Sequence, residues 1–217
     1  MNTAEKAFLL FDLDGTLTNP KTGITKSVQY ALRSFGVAVD NLDDLTGFIG
    51  PPLRDSFQKY FSFSKADAET AVQKYREYFA EQGIYENVMY DGVPAMLETE
   101  RAAGKKLIIA TSKATVFAER ILAHFAIDGY FSLVAGSEWD GRRARKAEVI
   151  RYALETSGVS DLHKAVMIGD TPYDIAGAKE VGIESVGVLY GFGSLAALTA
   201  AGADCVVESV DELARLF

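Results

Sequence analysis

Phe8-Leu9-Leu10-Phe11-Asp12-Leu13-Asp14-Gly15-Thr16-Leu17 decides the reading of this chain. Its apolar half has the unbroken hydrophobicity of a strand buried on both faces, and the carboxylates come where such a strand would run out into a glycine turn. Side chains two positions apart on a strand share a face, so Asp12 and Asp14 can be aimed at one bound group. A nucleophile and an acid/base sharing a metal suits that arrangement. A strand ending in a solvated acidic turn is the plainer alternative.

Working outward, the residues from Gly23 to Glu86 carry helical periodicity and no buried strand. Val28, Ala31, Leu32 and Phe35 keep the i, i+3, i+4, i+7 spacing of an amphipathic helix closing near Gly36. Gly50-Pro51-Pro52-Leu53-Arg54 is a turn opening a helix through Phe57 and Tyr60. Ser64 with Asp67 starts another, running to a stop near Gly83. A small helical bundle is expected. From Tyr90 onward helix and strand alternate. Strands are expected at Leu107–Ala110, Leu133–Ala135, Ala165–Ile168 and Ser185–Val188, and helices at about 114–125, 146–156 and 174–181. Alternation of this kind predicts an α/β fold: a parallel sheet covered by helices, whose ligands bind at the carboxyl ends of the strands.

Those ends collect a specific inventory. Asp12 and Asp14 follow the first strand, Thr111-Ser112-Lys113 the next, and Gly169-Asp170-Thr171-Pro172-Tyr173-Asp174 the strand ending at Ile168. Arg142-Arg143-Ala144-Arg145-Lys146 opens a helix nearby in the chain. Carboxylates ligate a hard cation, while hydroxyl, ammonium and backbone N–H groups hold phosphate oxygens. A divalent cation and an ammonium are needed to let paired carboxylates stand beside a dianionic phosphate.

Composition sets the outer bounds. The chain has 217 residues and a net charge of −8, which argues against a broad nucleic-acid-binding face. No stretch has the length of a membrane span, and the N-terminus lacks the pattern of a signal peptide, so a cytoplasmic protein is expected. The single cysteine, Cys205, lies in the apolar run Cys205-Val206-Val207 and is expected to be a buried strand residue. His124 and His163 lack ligand spacing and are read as structural or surface residues.

With these residues in place, the chain resembles a haloacid dehalogenase-superfamily hydrolase. Asp12-Leu13-Asp14-Gly15-Thr16-Leu17 matches the first motif of that superfamily, Thr111 the second, Lys146 the third, and Gly169-Asp170 with Asp174 the fourth. The resemblance implies a Rossmann-like core, residues 1–19 and 87–217, with an inserted helical cap over 20–86. It implies that Asp12 is the nucleophile forming an aspartyl-phosphate and that Asp14 is the acid/base. Mg²⁺ would be held by Asp12, the main-chain carbonyl of Asp14, and Asp170. Thr111 would bind phosphoryl oxygens, Lys146 would offset the charge of phosphate and Asp12, and Asp174 would orient Lys146 or metal-bound water. The third motif usually reads Lys-Pro, whereas Ala147 follows Lys146, so Arg143 and Arg145 compete for its place. Ser112 and Lys113 are candidates for contact with cap or substrate, an exposed loop being the other reading.

Asp14 argues against dehalogenation, which needs no leaving-group acid. Arg54 stands where phosphonatases carry an imine-forming lysine and cannot act as one. No Gly-x-x-x-x-Gly-Lys-Ser/Thr loop suggests a P-loop kinase. Gly50-Pro51-Pro52-Leu53, Gly136-Ser137-Glu138-Trp139-Asp140-Gly141 and Tyr190-Gly191-Phe192-Gly193 resemble a phosphoglycolate phosphatase-like, 5′-nucleotidase-like branch. The implied function is hydrolysis of a small phosphate ester, with nucleoside 5′-monophosphates and 2-phosphoglycolate leading and Arg54 as the cap contact. A β-phosphoglucomutase-like transferase and a catalytically idle binding protein are the alternatives. A monomer or homodimer, with no nucleic-acid or membrane partner, is expected.

Overall fold

The computed structural model describes residues 2–217. The chain divides into two compact units, Met1–Asn19 with Met89–Phe217, and Pro20–Val88.

In the larger unit, β1 (Phe8–Phe11) leads to the short β2 (Thr18–Asn19), and the chain re-enters through β3 (Val88–Met89), which pairs with β2. The main sheet is completed by β4 (Lys106–Ala114), β5 (Phe131–Ser137), β6 (Ala165–Gly169), β7 (Glu184–Val188) and β8 (Cys205–Val207). Its order is β5-β4-β1-β6-β7-β8, and every pairing is parallel. The chain thus builds outward from β1 to one side and then to the other. That reversal leaves a crevice beyond the carboxyl end of β1, between β4 and β6.

Both faces of the strands are covered, which is why they read as continuous apolar runs. On one face Leu10, Ile108, Ala110 and Met167 pack with Val149, Ile150, Ala153 and Ala178. Leu9, Phe11, Ile109, Val166 and Ile168, of opposite parity in the pleat, are equally buried.

The smaller unit carries α1 (Lys21–Arg33), a 3₁₀ segment (Leu42–Phe48), α2 (Leu53–Phe61), α3 (Lys65–Tyr78) and a π-turn (Phe79–Gly83). Helix α1 buries Val28, Ala31 and Leu32 of the predicted stripe together with Ile24, but it ends at Arg33, so Phe35 lies beyond it and is half-buried. Gly23 lets α1 run against the π-turn, since a Cβ there would stand 1.9 Å from the Gly83 carbonyl oxygen. Phe48, Phe57 and Phe63 form an aromatic core, with centroids 4.9 Å apart for Phe48–Phe57 and 5.8 Å for Phe57–Phe63. Ser64 caps α3 by accepting from Asp67 N–H.

Around the main sheet lie α4 (Val93–Ala102), α5 (Thr115–His124), α6 (Lys146–Thr156), α7 (Pro172–Val181), α8 (Leu195–Ala201) and α9 (Val210–Ala214). Cys205 differs from expectation: it lies on the edge strand β8, one side of which no further strand covers, and it is only half-buried.

Candidate active site

The site grows out of the core packing. On β1, Asp12 shares the pleat face of Leu10, and Leu10 packs in the cluster with Ile150 of α6 and Ala178 of α7. Lys146 lies one turn before Ile150, and Asp174 one turn before Ala178, so each continues the same helix face toward the sheet edge. The apolar cluster therefore ends in an ionic layer. Lys146 Nζ stands 2.9 Å from Asp12 Oδ1 and 2.6 Å from Asp174 Oδ1, and it donates to the Ala110 carbonyl at 3.1 Å.

Register places the remaining groups beside that layer. Phe11 pairs with Ile109 on one side and Ile168 on the other, so Asp12 is level with Ala110 and Gly169, one residue before Thr111 and Asp170. Asp12 N–H donates to Ile168 O at 2.8 Å. Asp170 Oδ1 accepts from Thr16 Oγ1 at 3.5 Å, and Oδ2 accepts from Phe192 N–H at 2.8 Å. Thr171 caps α7 reciprocally with Asp174, whose Oδ2 accepts from Thr171 N–H at 2.9 Å and Oγ1 at 2.7 Å. One oxygen of Asp174 thus ends the helix while the other faces Lys146.

Asp14 sits on the turn after β1, where Gly15 has φ +86° and donates its N–H to Thr18 O at 2.7 Å. A side chain at 15 would be strained there, and its Cβ would lie 2.1 Å from Asp170 Oδ2. Asp14 Oδ2 pairs with Lys113 Nζ at 3.0 Å. Each carboxylate of the first motif therefore has its own ammonium. Lys113, whose exposed-loop reading was open, belongs to β4, and its side chain is only 6% exposed. Thr111 is buried on the same strand, its Oγ1 accepting from Lys113 N–H at 3.2 Å, and Ser112 between them is half-buried.

The basic segment sorts itself by partners. Arg142 pairs with Asp140, Arg145 with Glu180, and Arg143 with Glu138 while stacking 3.7 Å over the Tyr152 ring. Only Lys146 of that segment reaches the carboxylates among the described pairs. Arg54 belongs to the smaller unit, where it pairs with Glu69 at 2.5 Å.

Burial lifts the Asp14 carboxyl, Lys113 pulling it back and Asp12 adding to the rise. Asp170 is raised well above the usual carboxylate range by burial and by Asp174 and Asp12. Asp174 is raised by burial, with Lys146 opposing. Burial alone would lower the Lys146 ammonium, but Asp12 and Asp174 more than reverse this and hold it raised. The cluster has more negative charge than its lysines offset.

Those features fit a divalent cation. Carboxylate oxygens of Asp12, Asp170 and Asp174 lie within 4.8 Å of one another. Asp14 Oδ1 is buried without a hydrogen-bond partner, and Asp12 Oδ1 and Asp174 Oδ1 are buried against the one ammonium of Lys146. Hard anionic oxygens are the donor set that Mg²⁺ prefers. Asp174, expected outside the metal shell, is part of this group.

Sequence reasoning missed what surrounds Asp170. The segment after β7 packs on it so closely that a Cβ at Gly191 would stand 2.5 Å from Asp170 Oδ2, and one at Gly193 1.9 Å from Asp170 O. The alternating glycines of Tyr190-Gly191-Phe192-Gly193 were the available signal. Tyr190 OH donates to Thr16 O at 3.1 Å.

The model of the family described as haloacid dehalogenase-like hydrolase matches residues 9–188. A 5′-nucleotidase from Pseudomonas aeruginosa is 48% identical over 86% of this chain and 84% of its own length. The tyrosine-protein kinase PtkA of Mycobacterium tuberculosis is 37% identical over 85% of this chain and 62% of its own length. The crystal structure of a predicted phosphatase from Clostridium acetobutylicum superposes with a TM-score of 0.95 at 46% identity, covering 97% of each chain. Among the described residues no helix is long and apolar enough to cross a membrane. A six-stranded parallel sheet, first-motif carboxylates at its centre and a match across most of the chain carry one conclusion: the protein belongs to the haloacid dehalogenase-like hydrolases, as an enzyme of the phosphatase type.

Proposed function

We propose that the enzyme hydrolyses small phosphomonoesters, nucleoside 5′-monophosphates foremost, through a phosphorylated Asp12. The observation that carries this reading is the pairing of Asp12 with Lys146 and of Asp14 with Lys113, which gives adjacent carboxylates separate electrostatic settings. The substrate class rests on the likeness to the Pseudomonas 5′-nucleotidase.

In this reading an Asp12 oxygen attacks phosphorus and the ester P–O bond breaks. Asp14, protonated at the outset and favoured in that state by burial, gives its proton to the departing alkoxide. Asp14, now a carboxylate, takes a proton from water as the water oxygen attacks phosphorus, which frees Asp12 and releases inorganic phosphate. Lys146 offsets the charge of Asp12 and the phosphoryl group, while the Thr111 and Ser112 hydroxyls and the Lys113 ammonium receive its oxygens. Asp12, the Asp14 carbonyl and Asp170 would hold Mg²⁺, with Asp174 beside them, and the ion would supply charge neutralisation at the phosphoryl oxygens. Residues 20–86 form the cap in this proposal, and Arg54 meets the leaving group.

The deciding experiment measures phosphate release from a panel of nucleoside monophosphates, 2-phosphoglycolate and sugar phosphates, with Mg²⁺ and with EDTA. Alongside it, acid-quenched protein is assayed for phosphate on Asp12. Release of inorganic phosphate with Mg²⁺ and labelling of Asp12 are expected. Transfer to a second sugar hydroxyl instead of water would identify a mutase, and ATP-dependent labelling of a tyrosine peptide a kinase. Turnover that survives EDTA would overturn the metal assignment.

A further inference from the structure

The turn that carries Asp14 is closed on its inner side by its own backbone. Leu13 O accepts from the N–H groups of Thr16, Leu17 and Thr18. Its outer carbonyls, those of Thr16 and Leu17, point away and need donors from elsewhere. Both donors come from tyrosines far along the chain. Tyr190 OH donates to Thr16 O at 3.1 Å, and Tyr90 N–H donates to Leu17 O at 3.1 Å. The two rings meet edge to face with centroids 5.1 Å apart. Thr16 is fully buried, so without the hydroxyl its carbonyl would lose its donor in a place where water cannot easily replace it.

The same four-residue segment also grips Asp170. Phe192 N–H holds Asp170 Oδ2, and Gly191 lies so close that a Cβ there would stand 2.3 Å from Gly15 O. Residues 190–193 therefore touch the Asp14 turn with one end and the Asp170 carboxylate with the other. Burial and the nearby carboxylates keep both phenols well above their ordinary range, Tyr90 adding to the rise at Tyr190, so the Tyr190 hydroxyl remains a donor at any working pH.

We infer that Tyr190 is a positioning residue: its hydroxyl, bonded to the Thr16 carbonyl, fixes the Asp14 turn in register with Asp170. The inference rests on the acid/base reading of Asp14 given above. Small displacements of an acid/base group cost rate in proportion to how much the leaving group needs its proton.

Tyr190→Phe removes the hydroxyl and keeps the ring against Tyr90. It should lower kcat roughly tenfold for an alkyl phosphate such as a nucleoside monophosphate, while p-nitrophenyl phosphate changes less than about twofold and KM for both stays put. Added to Asp14→Asn it should cost nothing further for the alkyl ester, because the group it positions is already disabled. In metal-free protein, amide exchange should quicken over residues 13–18 and stay unchanged in β6. Equal loss on both esters, or additivity with Asp14→Asn, overturns the proposal while leaving the acid/base reading intact. If Asp14→Asn itself fails to discriminate between the esters, the acid/base reading falls instead. Unchanged exchange over residues 13–18 overturns the clamp whatever the kinetics show. Should Tyr190→Phe fail to fold, Tyr90→Leu removes the supporting ring and keeps the backbone donor. It should show the same discrimination in weaker form, and a uniform loss there overturns the idea equally.

Discussion

Lys146 Nζ lies 2.9 Å from Asp12 Oδ1 with both side chains about 5% exposed, and the same ammonium reaches Asp174 at 2.6 Å. A pair this deep is screened little by solvent, so removing the cation leaves uncompensated buried charge. Lys146→Ala should lower kcat/KM by about 10²- to 10³-fold, the scale seen when one preorganised electrostatic partner is lost. Arg145→Ala, which removes an exposed partner of Glu180, should leave turnover within about twofold, since exposed pairs contribute little. Steady-state kinetics of the two variants check this, and a larger loss for Arg145→Ala would move the phosphate-charge role to that arginine.

Asp170 gives a stability prediction with a definite sign. Its folded pKa is raised by burial and by Asp174 and Asp12, so the ionised form is the one the metal-free fold disfavours. Relative stability from this group is fully present below the unfolded value of about 3.9 and is lost as pH rises through the folded value. In EDTA, Asp170→Asn should therefore melt above wild type near neutral pH, the gap closing toward pH 4. In excess Mg²⁺ the order should reverse. Wild type gains stability by linkage, about 2.7 kcal/mol at a hundred times Kd, and the amide gains less. Thermal melts across pH, with and without metal, read both halves.

The fold was legible because each main-sheet strand from β1 to β7 contains a short apolar run and the intervening residues keep helical spacing. Lys146 came from the resemblance, with Arg143 and Arg145 in competition, and its physical reason lies in the packing: Leu10, Ile150 and Ala178 fix which faces meet, and Asp12, Lys146 and Asp174 are the next residues along those faces. Lys113 was ambiguous because β4 continues past Ala110 as Thr-Ser-Lys-Ala, with a register shift against β5 between Ala110 and Ala114. Polar residues in a strand that bends at its end look like a loop. Tyr190 and Tyr90 were out of reach, since the Tyr190 hydroxyl meets Thr16 across 174 positions and no periodicity spans such a distance.

Arg54, proposed to meet the leaving group, has a partner within its own unit. It pairs with Glu69 at 2.5 Å, both side chains nearly half exposed, so the guanidinium is held without being buried. Arg54→Ala should lower kcat/KM for the preferred nucleoside monophosphate far more than for p-nitrophenyl phosphate, whose leaving group offers the guanidinium little to hold. Glu69→Ala, which frees the arginine from its partner, should raise the first value or leave it unchanged. Parallel losses on both substrates in Arg54→Ala would remove Arg54 from substrate selection.

Glycine at 191 is required by space. Its φ is not positive, yet a Cβ would stand 2.4 Å from Asp170 Cβ and 2.5 Å from Oδ2. The nearest atom, Gly15 O at 2.3 Å, is backbone, so overpacking here costs at least the usual ~1–3 kcal/mol and displaces the Asp14 turn and Asp170 together. Gly104 offers the opposite case, φ +83° with nothing within 4 Å of the position a Cβ would take, so Ala there adds only backbone strain of about 1–2 kcal/mol. Gly191→Ala should therefore lose more thermal stability than Gly104→Ala, and the two should also differ in function. Gly191→Ala should raise the Mg²⁺ concentration for half-maximal activity by about an order of magnitude, whereas Gly104→Ala should bind metal as wild type does. A Mg²⁺ titration of activity, with metal binding followed separately by calorimetry, measures the difference. If Gly191→Ala keeps the wild-type metal requirement despite its lower melting temperature, the carboxylate has not moved and the cradle around Asp170 plays no part in holding the ion.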